Sequence, residues 1–255
     1  MDTTISYAVP ANALRVYRGF QNQTLTPDQY RATLGQTFMP GTPYMLAPLG
    51  LAAYLPGVIV GEPNPNVPNE FAIIAYTSQD AWQHIMNSTL RGRVYNATHG
   101  GVYDLSRSGA SFPVAFQHLP ALATDPFYLF DGSTDWQTGV TQVYVGAPAD
   151  ASVTAADFRL AIRTAMGAQS AQLKSLGADQ CVVMPGDGYV VIWTHLAAPG
   201  AATPVDWKSL GPKVRTVANM QAQRIPCHGE PPTVTLTQST ALNFIFLRNP
   251  EMFLF

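Results

Sequence analysis

The chain has 255 residues, which is enough for one large domain or two small ones with a substantial core. Its 14 basic and 16 acidic residues are scattered without runs, which argues against nucleic acid and against a membrane surface as partners. Charged residues make up only 12% of the chain, and a surface so poor in charge predicts contact with a second copy, as in a homodimer.

The two cysteines, Cys181 and Cys227, lie far apart and form no Cys-x-x-Cys pair. This spacing argues against a zinc site, an iron–sulfur cluster and a disulfide scaffold, and we expect no metal and no cofactor. Residues 1–13 lack a basic start followed by an apolar stretch, and no apolar run is long enough to span a bilayer. These features predict a cytoplasmic protein.

One order of sequence signals occurs twice in the chain. The stretch Val16-Tyr17-Arg18-Gly19 is echoed by Val143-Tyr144-Val145-Gly146. Each copy is followed by a helical signal, a Pro-Gly pair, an apolar strand and a second helical signal that carries a tryptophan. Such ordered matches predict two similar modules, residues 1–115 and 140–255, joined by a linker over 116–139.

The first module is predicted to follow the order β-α-β-β-α-β. Thr26 is a candidate N-cap, and Pro27 follows it at the first helical position. Tyr30, Leu34 and Phe38 form the apolar stripe of this helix, which is expected to end near residues 39–41. The other predicted elements are strands over 14–20, 51–60 and 71–76, a helix capped by Ser78 that begins at residues 79–82, and a fourth strand within 95–105.

The second module is predicted to repeat that order. Thr154 is the candidate cap of a helix in which Phe158, Ile162, Ala165 and Gln169 recur at helical spacing. The glycine-containing turn at 185–188 predicts a hairpin. The remaining predictions are strands over 140–146, 179–184 and 189–195, a second helix over 206–224, and a closing β region over 233–247.

This order resembles the dimeric α/β-barrel superfamily of ferredoxin-like proteins, in the form with two modules in one chain. The stretch Ser78-Gln79-Asp80-Ala81-Trp82 is similar to the start of the second helix in that family. The resemblance implies an α+β fold of two tandem ferredoxin-like modules, whose antiparallel sheets pack as an α/β barrel with a pocket between sheet and helices. The family includes cofactor-independent oxygenases, isomerases, cyclases, dehydratases, haem enzymes and proteins without known activity.

The most suggestive residues for catalysis lie in the stretch from Asn96 to Asp104. His99 precedes two glycines, and on a strand it shares a face with Tyr103, so the two side chains are a candidate proton acceptor and donor. The alternative is a loop histidine followed by a core tyrosine. Arg93 is a candidate for binding a carboxylate or enolate oxygen, or else it caps the end of a helix.

Four further residues are candidates for binding a substrate. Tyr17 and Tyr144 occupy matching places in the first strands of the two modules, where they either line two halves of one cavity or pack in the core. Trp193 and His195 share one face of a strand and are expected to line an aromatic-binding pocket. The alternative for His195 is a solvated residue at a strand end.

These features favour a small-molecule enzyme that acts on an apolar or aromatic metabolite by acid–base chemistry without a metal. The reaction classes implied by the resemblance are isomerisation, cyclisation, dehydration and cofactor-free oxygenation. One alternative is a non-catalytic ligand-binding or assembly protein, favoured by the apolar tail over residues 244–247 and 252–255. Another is a haem-binding enzyme with His99, His195 or His228 as axial ligand.

Overall fold

A computed structural model describes residues 7–59, 61–62, 64–120, 123–198, 207–222, 224–225 and 227. They form an α+β fold. The strands are β1 Val9–Pro10, β2 Leu14–Gly19, β3 Leu51–Val58, β4 Glu70–Tyr76, β5 Gly109–Ser111, β6 Val114–Ala115, β7 Phe127–Tyr128, β8 Ser133–Thr134, β9 Val140–Pro148, β10 Ala178–Pro185, β11 Val190–Leu196 and β12 Val214–Gln221. The α-helices are α1 Pro27–Thr33, α2 Met39–Leu46, α3 Gln79–Ser88, α4 Leu90–Thr98 and α5 Ala155–Ser175.

The first sheet has the strand order β3-β4-β2-β5, and all of its neighbours are antiparallel. Its first and third strands in chain order, β2 and β4, are therefore central. Helices α1 to α4 cover one face, and the core under them contains side chains from both layers: Tyr17, Tyr30, Leu34, Phe38, Leu46, Tyr54, Tyr76, Ile85, Tyr95 and Tyr103. This helix-covered face of the first sheet holds the candidate site.

The start of the first helix was predicted correctly, but its end was not. The Thr26 hydroxyl accepts a hydrogen bond from the Gln29 N–H at 3.2 Å, and the Gln29 side chain accepts from the Thr26 N–H at 2.9 Å. The chain then continues through a π-helical turn, Leu34–Phe38, into α2, although Pro40 lies at the start of α2 and Pro43 inside it. The prediction of an end near 39–41 is wrong because burial of residues such as Met39 and Leu46 outweighs the lost backbone hydrogen bonds.

The fourth strand predicted within 95–105 is also wrong. Residues up to Thr98 belong to α4, which is followed by a 3₁₀ turn, His99–Gly101, and the fourth strand of the sheet is β5. The Thr89 hydroxyl caps α4 by accepting from the Gly92 N–H at 3.0 Å. A Cβ atom at Gly92 would lie 2.0 Å from the Ile85 carbonyl oxygen, so this glycine permits the close approach of α3 and α4.

The second sheet has the order β12-β9-β11-β10-β7-β6, antiparallel except for the parallel pair β6–β7. Helix α5, capped by Thr154, covers it with a row of buried side chains: Phe158, Ile162, Met166 and Leu173. The helix predicted over 206–224 is wrong, because the described residues there form a 3₁₀ turn, Trp207–Leu210, and then β12. Gly211, with a φ of 88°, precedes Pro212, and this pair ends the turn before a helix can continue.

The two sheets pack face to face through a third apolar layer. Leu14, Val16 and Ile73 from the first sheet meet Val143, Val182 and Trp193 from the second sheet. Segment 116–139, predicted as a linker, contributes β7 to the second sheet and β8 to a pairing with β1. The closing β region predicted over 233–247 lies outside the described residues. None of the described helices combines the length and apolar character that crossing a bilayer requires.

Candidate active site

A group of buried tyrosines surrounds one carboxylate between the first sheet and its helices. We call this region the tyrosine chamber, and it consists of Glu70 with Tyr17, Tyr30, Tyr54, Tyr76, Tyr95 and Tyr103. Glu70 begins β4, and alternation along that strand directs it to the same face as Ala72 and Tyr76, under the helices. A carboxyl group is thereby held in an aromatic environment, which raises the free energy of its charged form.

Glu70 is only 1% exposed and is held by two phenolic hydroxyl groups. The Tyr103 hydroxyl donates to Oε2 at 2.7 Å, and the Tyr54 hydroxyl donates to Oε1 at 3.3 Å. Burial raises the pKa of Glu70 to about 7, although the hydrogen bonds from Tyr103 and Tyr54 act in the opposite direction. At neutral pH both protonation states are therefore populated, which suits a group that accepts and returns protons.

His99 lies in the 3₁₀ turn that follows α4, beside the tyrosines that surround Glu70. Its ring centre is 4.8 Å from that of Phe38 and 5.0 Å from that of Tyr95. Nδ1 lies 3.2 Å from the Tyr95 carbonyl oxygen and 3.1 Å from that of Asn96. Since carbonyl oxygens only accept, these partners assign the proton to Nδ1 and leave the Nε2 lone pair free to accept one.

The pKa of His99 favours the uncharged form of the ring. Burial lowers it to about 4, and the hydrogen bonds to the Tyr95 and Asn96 carbonyl groups offset only part of this effect. The positive charge of Arg15 lowers it slightly further. At neutral pH the imidazole is therefore uncharged and can act as a proton acceptor.

Arg15 supplies a cation at the edge of the chamber. Its Cζ lies 3.8 Å from the centre of the Trp82 ring, and Nη2 donates to the Ala110 carbonyl oxygen at 3.5 Å. Nε of Arg15 and the hydroxyl of Tyr30 are both buried, and neither has a hydrogen-bond partner among the described residues. Buried donors of this kind usually bind a water or a ligand.

A cavity of about 160 Å³ opens next to the chamber, between the helices. Its lining is mostly apolar and consists of Thr33, Thr37, Phe38, Gly41, Met45, Tyr95, Thr98, Gly101 and Val102. The Tyr95 hydroxyl lies 2.9 Å from the Thr42 hydroxyl, which in turn donates to the Phe38 carbonyl oxygen at 3.0 Å. Tyr95 thus links the cavity wall to the buried Thr42.

Three of the candidate residues from the sequence lie together in this region. The ring centre of His99 is 5.9 Å from that of Tyr103 and 5.7 Å from that of Tyr17, and the two tyrosine rings are 5.2 Å apart. The predicted reason for this proximity, a shared face of one strand, is wrong. His99 lies in a 3₁₀ turn, and Tyr103 forms an isolated bridge with Gln21, so it is the turn that brings the two rings together.

The other candidates lie away from the chamber. Arg93 is exposed on α4, where its guanidinium donates to the Asn87 carbonyl oxygen at 3.2 Å in the last turn of α3. This contact matches the alternative of a helix cap. Tyr144 packs under α5 and hydrogen-bonds Thr216 at 3.2 Å. Tyr17 and Tyr144 thus point to opposite outer faces, with the layer between the sheets separating them, and do not line one cavity.

Trp193 and His195 are buried in the second half of the chain. Trp193 packs in the layer between the sheets, where it contacts Phe71 with ring centres 5.9 Å apart. His195 is 1% exposed, so the alternative of a solvated residue is wrong. Its Nδ1 lies 2.5 Å from Asp179, and its Nε2 lies 3.0 Å from the Thr138 carbonyl oxygen, so both ring nitrogens are engaged by the protein itself.

Glu70, Arg15, Tyr30 and Tyr54 were not identified as site residues from the sequence. A signal for Glu70 was present, because it shares its strand face with Ala72, Ile74 and Tyr76 in a chain with few charges. Among the residues that the structure describes, no group of three or more His, Cys, Asp or Glu side chains is placed to hold a metal ion. His228, one of the candidate haem ligands, lies outside the described residues.

No protein-family model matches the chain, and no curated protein matches it in sequence. Similar solved structures include a proposed monooxygenase from Lactobacillus acidophilus NCFM, with 10% identity, a TM-score of 0.36, and coverage of 83% of this chain and 92% of that one. A proposed monooxygenase from Fusobacterium nucleatum has 11% identity, a TM-score of 0.38, and coverage of 86% and 92%. An anthrone oxidase-like protein has 12% identity, a TM-score of 0.40, and coverage of 91% and 99%.

Proposed function

We propose that this chain is an enzyme that moves protons on a small apolar or aromatic metabolite at the tyrosine chamber. The observation that carries the proposal is Glu70, a buried carboxyl group whose pKa is raised to about 7 and whose two oxygens accept hydrogen bonds from tyrosines. A buried acid with such a pKa exchanges protons readily at neutral pH. A purely structural core would be filled more stably by an apolar side chain.

Five groups in or beside the chamber have a role in this proposal. Glu70 is the general base and then the general acid, and Tyr103 holds its carboxylate in place. His99, uncharged and with a free Nε2, is a second proton acceptor. Arg15 and the Tyr30 hydroxyl are donors that stabilise negative charge developing on a substrate oxygen.

The cavity beside the chamber indicates the size of the substrate. An engineered apolar cavity of about 150 Å³ is known to bind benzene, so a volume of about 160 Å³ fits one aromatic ring or an apolar group of that size. Tyr95 lies in the cavity wall, and it belongs to the same buried cluster as Tyr54 and Tyr103, which hold Glu70. We propose that the proton passes between the cavity and the carboxylate along this cluster.

The proposed first step is removal of a proton from a carbon next to a carbonyl group, which gives an enolate. Isomerisation, cyclisation, dehydration and cofactor-free oxygenation of such a compound share this step, so the proposal covers these four reaction classes together. Arg93, Tyr144, Trp193 and His195 have no role in it, because each lies away from the chamber.

We also propose that the two halves are tandem ferredoxin-like modules of the dimeric α/β-barrel type. In each half the second strand pairs with the third, the third with the first and the first with the fourth, as β3-β4-β2-β5 and β10-β11-β9-β12. The sheets face each other within one chain. The predicted homodimer would therefore use another surface.

The function is tested by exchange of acidic C–H protons with solvent. Phenylacetone, 2-indanone and cyclohexanone are small uncharged ketones with exchangeable α-protons, and proton NMR in D₂O follows the loss of those signals. We expect the wild-type protein to accelerate exchange of at least one ketone, with a rate that rises as Glu70 ionises around pH 7. Glu70→Gln should lower the accelerated rate by roughly 100-fold or more.

Glu62→Gln is the matched control, because Glu62 pairs with Arg215 outside the chamber. It should retain the wild-type rate. Acceleration of none of the three ketones would overturn the proposal, as would a folded Glu70→Gln variant with an unchanged rate. Saturable ketone binding without exchange would favour the non-catalytic ligand-binding alternative instead.

A further inference from the structure

The apolar layer between the two sheets ends at a polar cleft. Along β2, Leu14 and Val16 point into this layer, and alternation places Arg18 on the same side at the end of the strand. A cleft of about 450 Å³ opens there. Its walls come from both halves of the chain and include Arg18, Phe20, Arg107, Ser111, Met184 and Tyr189.

The two arginines of the cleft are held in place but are not neutralised. Arg18 Nε donates to the Arg107 carbonyl oxygen at 3.3 Å. The Arg107 guanidinium stacks on Phe20, with Cζ 4.0 Å from the ring centre, and donates to the Pro65 carbonyl oxygen. Neither arginine forms an ion pair with a carboxylate among the described residues.

The carboxylates of the cleft leave an excess of positive charge. Asp187 lines the cleft but is already paired with Arg159. Asp125, the other acidic residue of the lining, is exposed to solvent. Two guanidinium groups therefore face one unpaired carboxylate, which favours an anionic ligand.

The remaining walls are mixed, with Tyr189, Met184 and Pro185 beside the polar residues Asn66, Ser111 and Thr124. Tyr189 and Met184 belong to the apolar layer, and their buried side chains continue from that layer to the cleft. The turn that precedes Tyr189 packs closely on the first half, since a Cβ atom at Gly188 would lie 2.6 Å from Asn66 Cβ. The cleft is thus a built recess between the halves, and its volume falls in the usual range of small-molecule sites.

We propose that this cleft is a binding site for a small organic acid. The carboxylate of the ligand binds between the Arg18 and Arg107 guanidinium groups, which present a planar set of donors to it. Its body lies against Tyr189, Ser111 and Thr124. The site is independent of the proposed catalytic function, because Arg18 points to the opposite face of the first sheet from Tyr17 and the chamber.

The test is isothermal titration calorimetry of the full chain with sodium benzoate. We expect saturable binding of one benzoate with a dissociation constant of about 1 mM or tighter. Arg18→Gln and Arg107→Gln should each weaken binding roughly 10-fold or more, since each removes charge-assisted hydrogen bonds. Arg31→Gln is the matched control, because Arg31 pairs with Asp28 on the surface of α1, and it should bind like the wild type.

Two further ligands separate the charge of the ligand from its organic body. Benzamide, the neutral analogue, and inorganic phosphate should each bind at least roughly 10-fold more weakly than benzoate. Phosphate binding as tight as benzoate binding would overturn the assignment to an organic acid. The site itself would be overturned if benzoate did not bind the wild type, or if it bound both glutamine variants as tightly as the wild type.

Arg18→Lys provides a second variant in case the glutamine variants do not fold, as judged by circular dichroism. It keeps the positive charge but loses the planar fork, so its affinity should lie between those of wild type and Arg18→Gln. A wild-type affinity in Arg18→Lys would contradict carboxylate recognition by the fork. Glu70→Gln should bind benzoate normally, which keeps this test separate from that of the catalytic proposal.

Discussion

Gly19 lies directly opposite Glu70 in the pairing of β2 with β4, and its missing side chain makes room for the Tyr103–Glu70 hydrogen bond. A Cβ atom at Gly19 would lie 2.5 Å from Cε1 of Tyr103 and 2.9 Å from Oε2 of Glu70. Contacts that short do not occur in stable structures, so one of the two groups would have to move. The geometry of the chamber thus depends on a glycine in a neighbouring strand.

Gly19→Ala is therefore expected to destabilise the protein by about 1–3 kcal/mol, the usual cost of overpacking. It should also displace Tyr103 and so raise the pKa of Glu70 further. Urea denaturation measures the first effect. Gly109→Ala is the control, because a Cβ atom at Gly109 in the adjacent strand β5 meets nothing within 4 Å. Equal stability of the two variants would contradict the close approach at Gly19.

Glu70 and His99 make opposite contributions to the pH dependence of stability. The pKa of Glu70 is raised from 4.5 to about 7, so its stabilising effect is complete below pH 4.5 and is lost as the pH rises to 7. The pKa of His99 is lowered from 6.5 to about 4, so its effect is complete above pH 6.5 and is lost as the pH falls to 4. Each shift corresponds to roughly 3 kcal/mol in the free energy of unfolding, and the contribution of His99 is the smaller because its side chain is only half-buried.

Single variants should separate these two contributions. The stability of wild type minus that of Glu70→Gln should fall by roughly 3 kcal/mol as the pH rises from 4.5 to 7. The corresponding difference for His99→Gln should increase between pH 4 and 6.5. Urea denaturation across this range measures both, and all other titrating groups cancel in the comparison. Parallel stability curves for the wild type and both variants would show that neither group titrates as described.

The two hydrogen bonds to Glu70 should affect its pKa unequally. Tyr103→Phe removes the 2.7 Å contact, and Tyr54→Phe removes the 3.3 Å contact. Both bonds stabilise the charged carboxylate, so both variants should raise the pKa of Glu70, and Tyr103→Phe should raise it more. Carbon-13 NMR of the Glu70 carboxyl carbon measures each value. A pKa that is unchanged or lowered in Tyr103→Phe would contradict the hydrogen bond.

Local signals in the sequence predicted local structure well. The three predicted caps are all present: Thr26 accepts from Gln29 N–H at 3.2 Å, Ser78 from Ala81 N–H at 3.0 Å, and Thr154 from Asp157 N–H at 3.1 Å. Such caps involve residues three positions apart, so short windows of sequence contain all the information. The prediction of a helix over 206–224 was wrong because it gave too little weight to Gly211-Pro212, a pair that ends helices.

The candidate site was predictable only in part. His99 and Tyr103 are near each other in the chain, so they lie close together in the structure although they do not share the predicted strand. The contact between Glu70 and Gly19 depends instead on the register of two strands that are distant in sequence. Tyr17 and Tyr144 occupy matching strand positions but point to opposite outer faces, because the sheets pack through their other faces. Register and sheet packing are tertiary properties that spacing alone does not encode.

His195 and Asp179 give the last prediction, which concerns stability in the second half of the chain. Asp179→Asn removes the carboxylate that lies 2.5 Å from Nδ1 of the buried His195. We expect a loss of about 1–3 kcal/mol in the free energy of unfolding, because a buried ring nitrogen loses a charged acceptor. Asp28→Asn is the control, since its exposed pair with Arg31 should contribute nothing measurable. Urea denaturation at pH 7 measures both, and equal stability of the two variants would contradict a structural role for the His195–Asp179 pair.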